Sequence, residues 1–142
     1  MNDEQAKALG ERLTACERWE WLEAMWAFGG AALPHPVGGW METEGRVQPH
    51  VYMEDDKRHL HVGWAVGDSH CVVDAATAVP DMRDSATCGA VMGLLGDEAW
   101  RVGAVKSGGF CVAFDDESAP EGHRMTWVAT WGEALVCVLE AT

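Results

Sequence analysis

RMTWVATWGEALVCVLEA, residues 124–141, holds the change of period on which the reading of the fold turns. Met125, Trp127, Ala129 and Trp131 recur at every second residue, the spacing of one face of a β-strand. Thr130-Trp131-Gly132-Glu133 then matches a capping box, in which the Thr130 and Glu133 side chains satisfy free amides at a helix start. Leu135, Val138 and Leu139 follow at spacings of three and four, the apolar face of a short terminal helix. A strand therefore runs straight into a capped helix.

Working back from this stretch, WRVGAVK (100–106) and GFCVAFD (109–115) flank Ser107-Gly108, which predicts a hairpin with Phe110, Val112 and Phe114 on one face. Before it, Asp84 or Ser85 caps a helix whose apolar stripe is Cys88, Val91, Met92, Leu95 and Ala99. Gly89, Gly93 and Gly96 lie together beside the stripe. Glycine costs a helix about 1 kcal/mol relative to alanine, so three on one side predict a sheet or second helix in close approach. A homodimer contact is the second reading of the same row.

The first half is less regular. Ala6, Leu9, Leu13 and Cys16 predict a helix over 3–17, with Asp3 and Glu4 at the end where the helix dipole favours negative charge. In ERWEWLEAMWAF (17–28) Trp19 and Trp21 alternate with charges, which reads as a helix turning into a strand or as a helix rotating its buried face, the strand being favoured. Gly29-Gly30 and LPHPVGGW (33–40) break regular structure. RVQPHVYM (46–53) is an edge strand by its Pro49. RHLHVGWAV (58–66) sets Leu60, Val62, Trp64 and Val66 on one side and His59 and His61 on the other, and HCVVD (70–74) is a further short strand. The order of helix, strands, helix, strands, helix predicts a single α+β domain over 1–142, a mostly antiparallel sheet covered by about three helices.

The chain has 142 residues, 23 acidic against 10 basic, for a formal net charge of −13. That balance argues against direct nucleic-acid binding, which needs clustered Lys and Arg. It favours a basic partner, because charge steers encounters. The polar start MNDEQAKALGERL lacks the basic and apolar stretches of a signal peptide, and no apolar run reaches membrane-spanning length. Five scattered cysteines (16, 71, 88, 111 and 137) without a CxxC pair read as packed small hydrophobes. The expectation is a soluble protein of a reducing cytoplasm.

Three groups of residues are candidates for chemistry or recognition. The carboxylates bunch at Glu54-Asp55-Asp56 and at Asp115-Asp116-Glu117, both where turns are expected; they read as solvated loop tips or as a phosphate-mimicking surface for a protein partner. Trp40, Arg58, His59 and His61 form the second group, a place where a nucleotide would stack and make charge-assisted bonds. Most of the eight tryptophans occupy apolar phases that suit a core, whereas Trp40 and one of Trp19 or Trp21 have no obvious core register. His59, His61 and His70-Cys71 allow a zinc site only if further ligands converge, so no metal and no cofactor is expected. Ser-His-Asp patterns, phosphate loops and HExxH helices are missing from the sequence.

The arrangement of motifs resembles a group of small phage and prophage proteins. Their pattern is a leading helix, W-x-W-x-x-G-M, P-D-[LM]-x-D-x-A-T-x-G opening a helix that ends E-A-W, and a terminal T-x-x-E-A-L-V-x-x-L-E-A helix. The corresponding stretches here are WEWLEAM (19–25), PDMRDSATCG (80–89), DEAW (97–100) and EALVCVLEA (133–141). The chain departs at Ala24, where the group has glycine, and in the insert LPHPVGGWMETEGR (33–46). The resemblance implies an alpha-beta-alpha sandwich-like architecture and a phage origin, and it carries over no catalytic residue. With the acidic charge, it leads to the expectation of a non-catalytic accessory protein that binds and inhibits a host factor in the host cytoplasm. The alternative is a small-molecule binder that sequesters a nucleotide signal.

Overall fold

The terminal helix packs against two other helices and a three-stranded antiparallel sheet. In this computed structural model, residues 1–28, 32–34, 40–42, 46–63, 70–73 and 78–142 are described, with 32–34, 40–42, 46–47, 61–63 and 70–73 described as backbone. The chain is an α+β protein whose strand pairings are all antiparallel among the described residues.

Helix α1 (Asp3–Thr14) starts on a capping box one residue earlier than its acidic first turn: the Asn2 side chain accepts from the Gln5 amide at 2.8 Å, and the Gln5 side chain accepts from the Asn2 amide at 3.0 Å. Ala6, Leu9, Gly10 and Leu13 are its buried face. The helix stops at Thr14 rather than at residue 17, and Cys16 lies in the turn that follows.

The strand expected through ERWEWLEAMWAF is not formed. Only its end, β1 (Ala27–Phe28), is extended and paired; residues 19–26 are irregular. Trp21 and Met25 are both buried, four residues apart, and Trp19 packs edge-on against Trp21 at 5.3 Å. Side chains replace the missing ladder: Arg58 Nη1 donates to the Trp21 carbonyl at 2.8 Å, and Gln48 Nε2 donates to the Ala24 carbonyl at 3.0 Å. Ala24 has φ 72, a left-handed backbone that glycine adopts without strain.

Next come β2 (Ala32–Pro34) paired with β3 (Trp40–Glu42), and β4 (Arg46–Val47) paired with β1. The strand expected over 46–53 is divided at Gln48-Pro49 into β4 and β5 (His50–Glu54), as befits a residue with no amide hydrogen. Strand β6 (Lys57–Gly63) is the middle of a three-stranded sheet between β5 and β7 (His70–Val73), so β5 is an edge. Leu60 is fully buried in the core. Trp64 and Val66 lie outside the described residues.

Helix α2 (Ser85–Leu95) begins where Asp84 accepts from the amides of Ala86 and Thr87. Cys88, Val91 and Leu95 are buried; Met92 is half-buried, and Ala99 falls in a 3-10 helix, Gly96–Arg101, entered through Gly96 at φ 53. The close approach expected at Gly89, Gly93 and Gly96 does not occur. All three are exposed, and a Cβ placed on any of them would meet nothing within 4 Å. The packed face of α2 is the one bearing Cys88, Val91 and Leu95, and the glycines fall beside it on the open side.

Close approaches occur elsewhere. A Cβ on Gly10 would lie 2.3 Å from the Pro80 carbonyl oxygen, and one on Gly132 would lie 2.5 Å from that of Met82. The segment carrying Pro80, Asp81 and Met82 is thus packed against glycines of α1 and of α3 (Trp131–Ala141). The Asp81 amide donates to the Trp26 carbonyl at 2.8 Å, and the Trp26 amide to Thr87 Oγ1 at 2.8 Å, which ties this segment and the start of α2 to the stretch just before β1.

Strands β8 (Val102–Ala104), β9 (Phe110–Asp115) and β10 (His123–Val128) form the second three-stranded sheet, with β9 in the middle. The expected turn is present, the Gly108 amide donating to the Val105 carbonyl at 2.9 Å. Helix α3, with its predicted Thr130–Glu133 capping box, contacts α1, α2 and all three strands. Val136 and Ala134 are buried alongside Leu135, Val138 and Leu139, so its buried surface is wider than one stripe.

The placement of Met125 and Trp127 corrects the expectation that alternating tryptophans serve the core. Register pairs Trp127 with Cys111 and Met125 with Ala113, and Val112 with Thr126. Helix α3 covers the side bearing Val112, leaving Trp127 65% and Met125 52% exposed. Trp100, at the end of the 3-10 helix, is equally open at 63%. Of Trp19 and Trp21, one of which lacked a core register in the sequence, Trp21 is buried and Trp19 half-buried.

Candidate functional site

The first acidic group forms the tip of the β5–β6 hairpin. Glu54 pairs with Lys57, and Asp55 and Asp56 form a two-residue loop with φ 51 and 60. Two successive positive φ values are the mark of the tight hairpin turn whose twist matches the strands it joins. Aspartate tolerates that backbone better than most residues, because its short side chain bonds locally. Glu54, Asp55 and Asp56 are all exposed, and among the described residues none of the three is ion-paired.

The second acidic group is used differently. Asp115 accepts from Arg101 Nη2 at 2.7 Å and Nη1 at 3.2 Å, and the guanidinium holds its carboxyl below the ordinary carboxylate range. Asp116 accepts from the Ser118 hydroxyl at 2.6 Å and the Ser118 amide at 3.0 Å, bonds that also depress its pKa and close the turn. Glu117 is exposed without such ties. Of the six carboxylates expected to meet a partner, Asp115 is thus engaged by Arg101 and Asp116 by the turn itself.

In the group proposed for a nucleotide, Arg58 is a brace. Its Nη2 donates to Glu20 at 2.8 Å while its Nη1 holds the Trp21 carbonyl. His59 lies 5.2 Å from the Tyr52 ring across the strand pair, nearly parallel to it. His61 stands opposite His50 in register, and Trp40 opposite Pro34; the side chains of His61 and Trp40 lie outside the described residues. Beside this sheet, Glu23 accepts from the Val51 amide at 2.7 Å and pairs with His50 Nδ1 at 3.8 Å.

Among the described residues no three His, Cys, Asp or Glu side chains converge as a metal site would require, and no helix is long and apolar enough to cross a membrane. Cys16, Cys88, Cys111 and Cys137 are free thiols. Burial pushes the Cys88 thiol up to about 11, with the charges of Asp84 and Asp81 adding to the effect. Cys71 lies outside the described side chains.

Arg18, Arg101 and Arg124, from three separated parts of the chain, line a cavity of about 490 Å³. No local motif announces it, because the three residues share neither spacing nor element. Compared with known proteins, the chain matches no family model, no curated protein and no solved structure.

Proposed function

We propose that the chain is a phage accessory protein that acts by binding, with Glu54, Asp55 and Asp56 meeting a basic surface of a host protein. The observation that carries this reading is the hairpin tip: three consecutive exposed carboxylates, without internal ion pairs among the described residues, on a turn whose backbone is set. Such a tip leaves its carboxylates open to a partner, and the net charge of −13 adds long-range attraction toward a basic surface. Inhibition then requires only occupation of that surface. The phage-like order of motifs supports a host protein as the target. A nucleotide-sequestering role centred on Arg58 and His59 has less support, because Arg58 is already bonded to Glu20 and Trp21 and His59 lies against Tyr52.

The test is affinity capture from bacterial lysate at low and high salt, comparing the native chain with Glu54→Gln/Asp55→Asn/Asp56→Asn. Asparagine keeps the turn's left-handed backbone accessible, so charge alone is removed. The expected result is a partner retained at low salt, released at high salt and lost in the triple variant. Equal capture of that partner by the triple variant overturns the reading.

A further inference from the structure

The cavity lined by Arg18, Arg101 and Arg124 lies in a protein with only ten basic residues against 23 acidic ones. In such a chain an arginine readily finds a carboxylate, and most of those described do. Arg12 pairs with Glu140, Arg58 with Glu20, Arg83 with Asp81 and Asp3, and Arg101 with both Glu98 and Asp115. Arg18 and Arg124 are the exceptions among the arginines whose side chains are described.

Arg18 spends its Nη1 on the Thr142 hydroxyl at 2.8 Å and its Nη2 on the Leu94 carbonyl at 2.6 Å, two neutral acceptors that hold the guanidinium in place without cancelling its charge. Arg124 lies over the Phe114 ring, 4.7 Å from its centre, a contact that orients the guanidinium and leaves its N–H groups for another acceptor. Asp116 feels the charge of Arg124, but its hydrogen bonds go to Ser118 and the Ala119 amide. The two side-chain carboxylates at the cavity wall, Glu98 and Asp115, are both bonded to Arg101.

From this we infer that the cavity binds a phosphate group, free or as the monoester end of a small organic molecule, between Arg18 and Arg124. Arg18 keeps three of its five N–H donors beyond these two bonds, and two guanidinium charges without a carboxylate partner call for a dianion with oxygens on more than one side. Phosphate supplies this at neutral pH, where a single carboxylate does not. The volume is that of a small-molecule site rather than of a bare ion. This site is independent of the acidic hairpin tip, and neither depends on the other.

Calorimetric titration and thermal melting with inorganic phosphate, adenosine 5′-monophosphate and citrate, at an ionic strength held constant with sodium chloride, test the inference. Saturable binding of a phosphate probe is expected. Arg124→Gln should weaken it by about tenfold or more, as loss of a charge-assisted hydrogen bond does. Lys106→Gln, an equal loss of charge outside the cavity, should leave it unchanged. Stronger binding of adenosine monophosphate than of phosphate identifies a monoester as the ligand; equal binding identifies the free ion. Binding of citrate alone, no saturable binding, or an Arg124→Gln variant that binds as well as the native chain overturns the inference.

Discussion

Arg83 holds both carboxylate oxygens of Asp81, from Nε and Nη2 at 2.9 Å each, and Asp81 is fully buried. The same guanidinium reaches Asp3 at 2.6 Å with its Nη1 and lies over the Phe28 ring, 5.2 Å from the centre. One side chain thus joins the start of α1, the end of β1 and the segment before α2. A buried carboxylate is tolerable because its partner neutralises it there.

Removing the Arg83 side chain takes away two charge-assisted hydrogen bonds to this buried carboxylate. Arg83→Ala should cost about 1–3 kcal/mol of stability, the range for losing hydrogen bonds to a buried charged group. Urea denaturation of the variant against the native chain measures it. A loss under about 1 kcal/mol, the range of exposed pairs, would mean that Asp81 does not need Arg83.

The glycines divide into two classes with opposite signs. Gly10→Ala and Gly132→Ala place a methyl group against the carbonyls of Pro80 and Met82, and each should destabilise the protein by about 1–3 kcal/mol, as overpacking does. Gly89→Ala and Gly93→Ala meet open space on a helix and should stabilise it by about 0.5–1 kcal/mol. Melting curves of the four variants separate the classes, and a shared sign would contradict the packing described.

Ala24 occupies a backbone conformation that costs an L-residue about 1–2 kcal/mol, less the greater entropy glycine loses on folding. Ala24→Gly should therefore raise stability by about 0.5–1 kcal/mol, read by the same denaturation experiment.

Cys88 supplies an alkaline signature. Its thiol is raised from an ordinary 9.0 to about 11, first by burial and then by Asp84 and Asp81. Above pH 9 the unfolded chain loses this proton before the folded one does. The contribution is thus fully present below pH 9 and is lost as pH rises through about 11. Cys88→Ala should show a flatter decline of melting temperature between pH 9 and 11 than the native chain. Parallel declines would place the alkaline sensitivity elsewhere.

Much of the local structure was legible in short windows of sequence. Thr130 and Glu133 cap α3, Asp84 caps α2, and the hairpin turn lies between Val102 and Phe110, because each depends on bonds within a few residues. The Asn2–Gln5 box was equally local and was hidden behind the acidic pair that follows it. The strand reading of 19–26 failed because alternation alone does not supply a ladder. With Arg58 and Gln48 available to take its carbonyls, the stretch buries Trp21 and Met25 without pairing.

Period, caps and turns arise from the backbone's own geometry, so the sequence of this chain was enough for its α+β class and for the acidic tip at Glu54–Asp56. It was not enough for the faces. Whether Val112 or Trp127 turned inward depended on which side of the sheet α3 covered, and a period of two is the same from either side. Nor did it identify the close contacts of Gly10 and Gly132, or the cavity around Arg18, Arg101 and Arg124. Those join residues far apart in the chain, as Arg12 joins Glu140 across 128 positions. Such contacts exist only once the core has closed, because burial of apolar surface brings the distant segments together and does so without regard to their spacing in sequence.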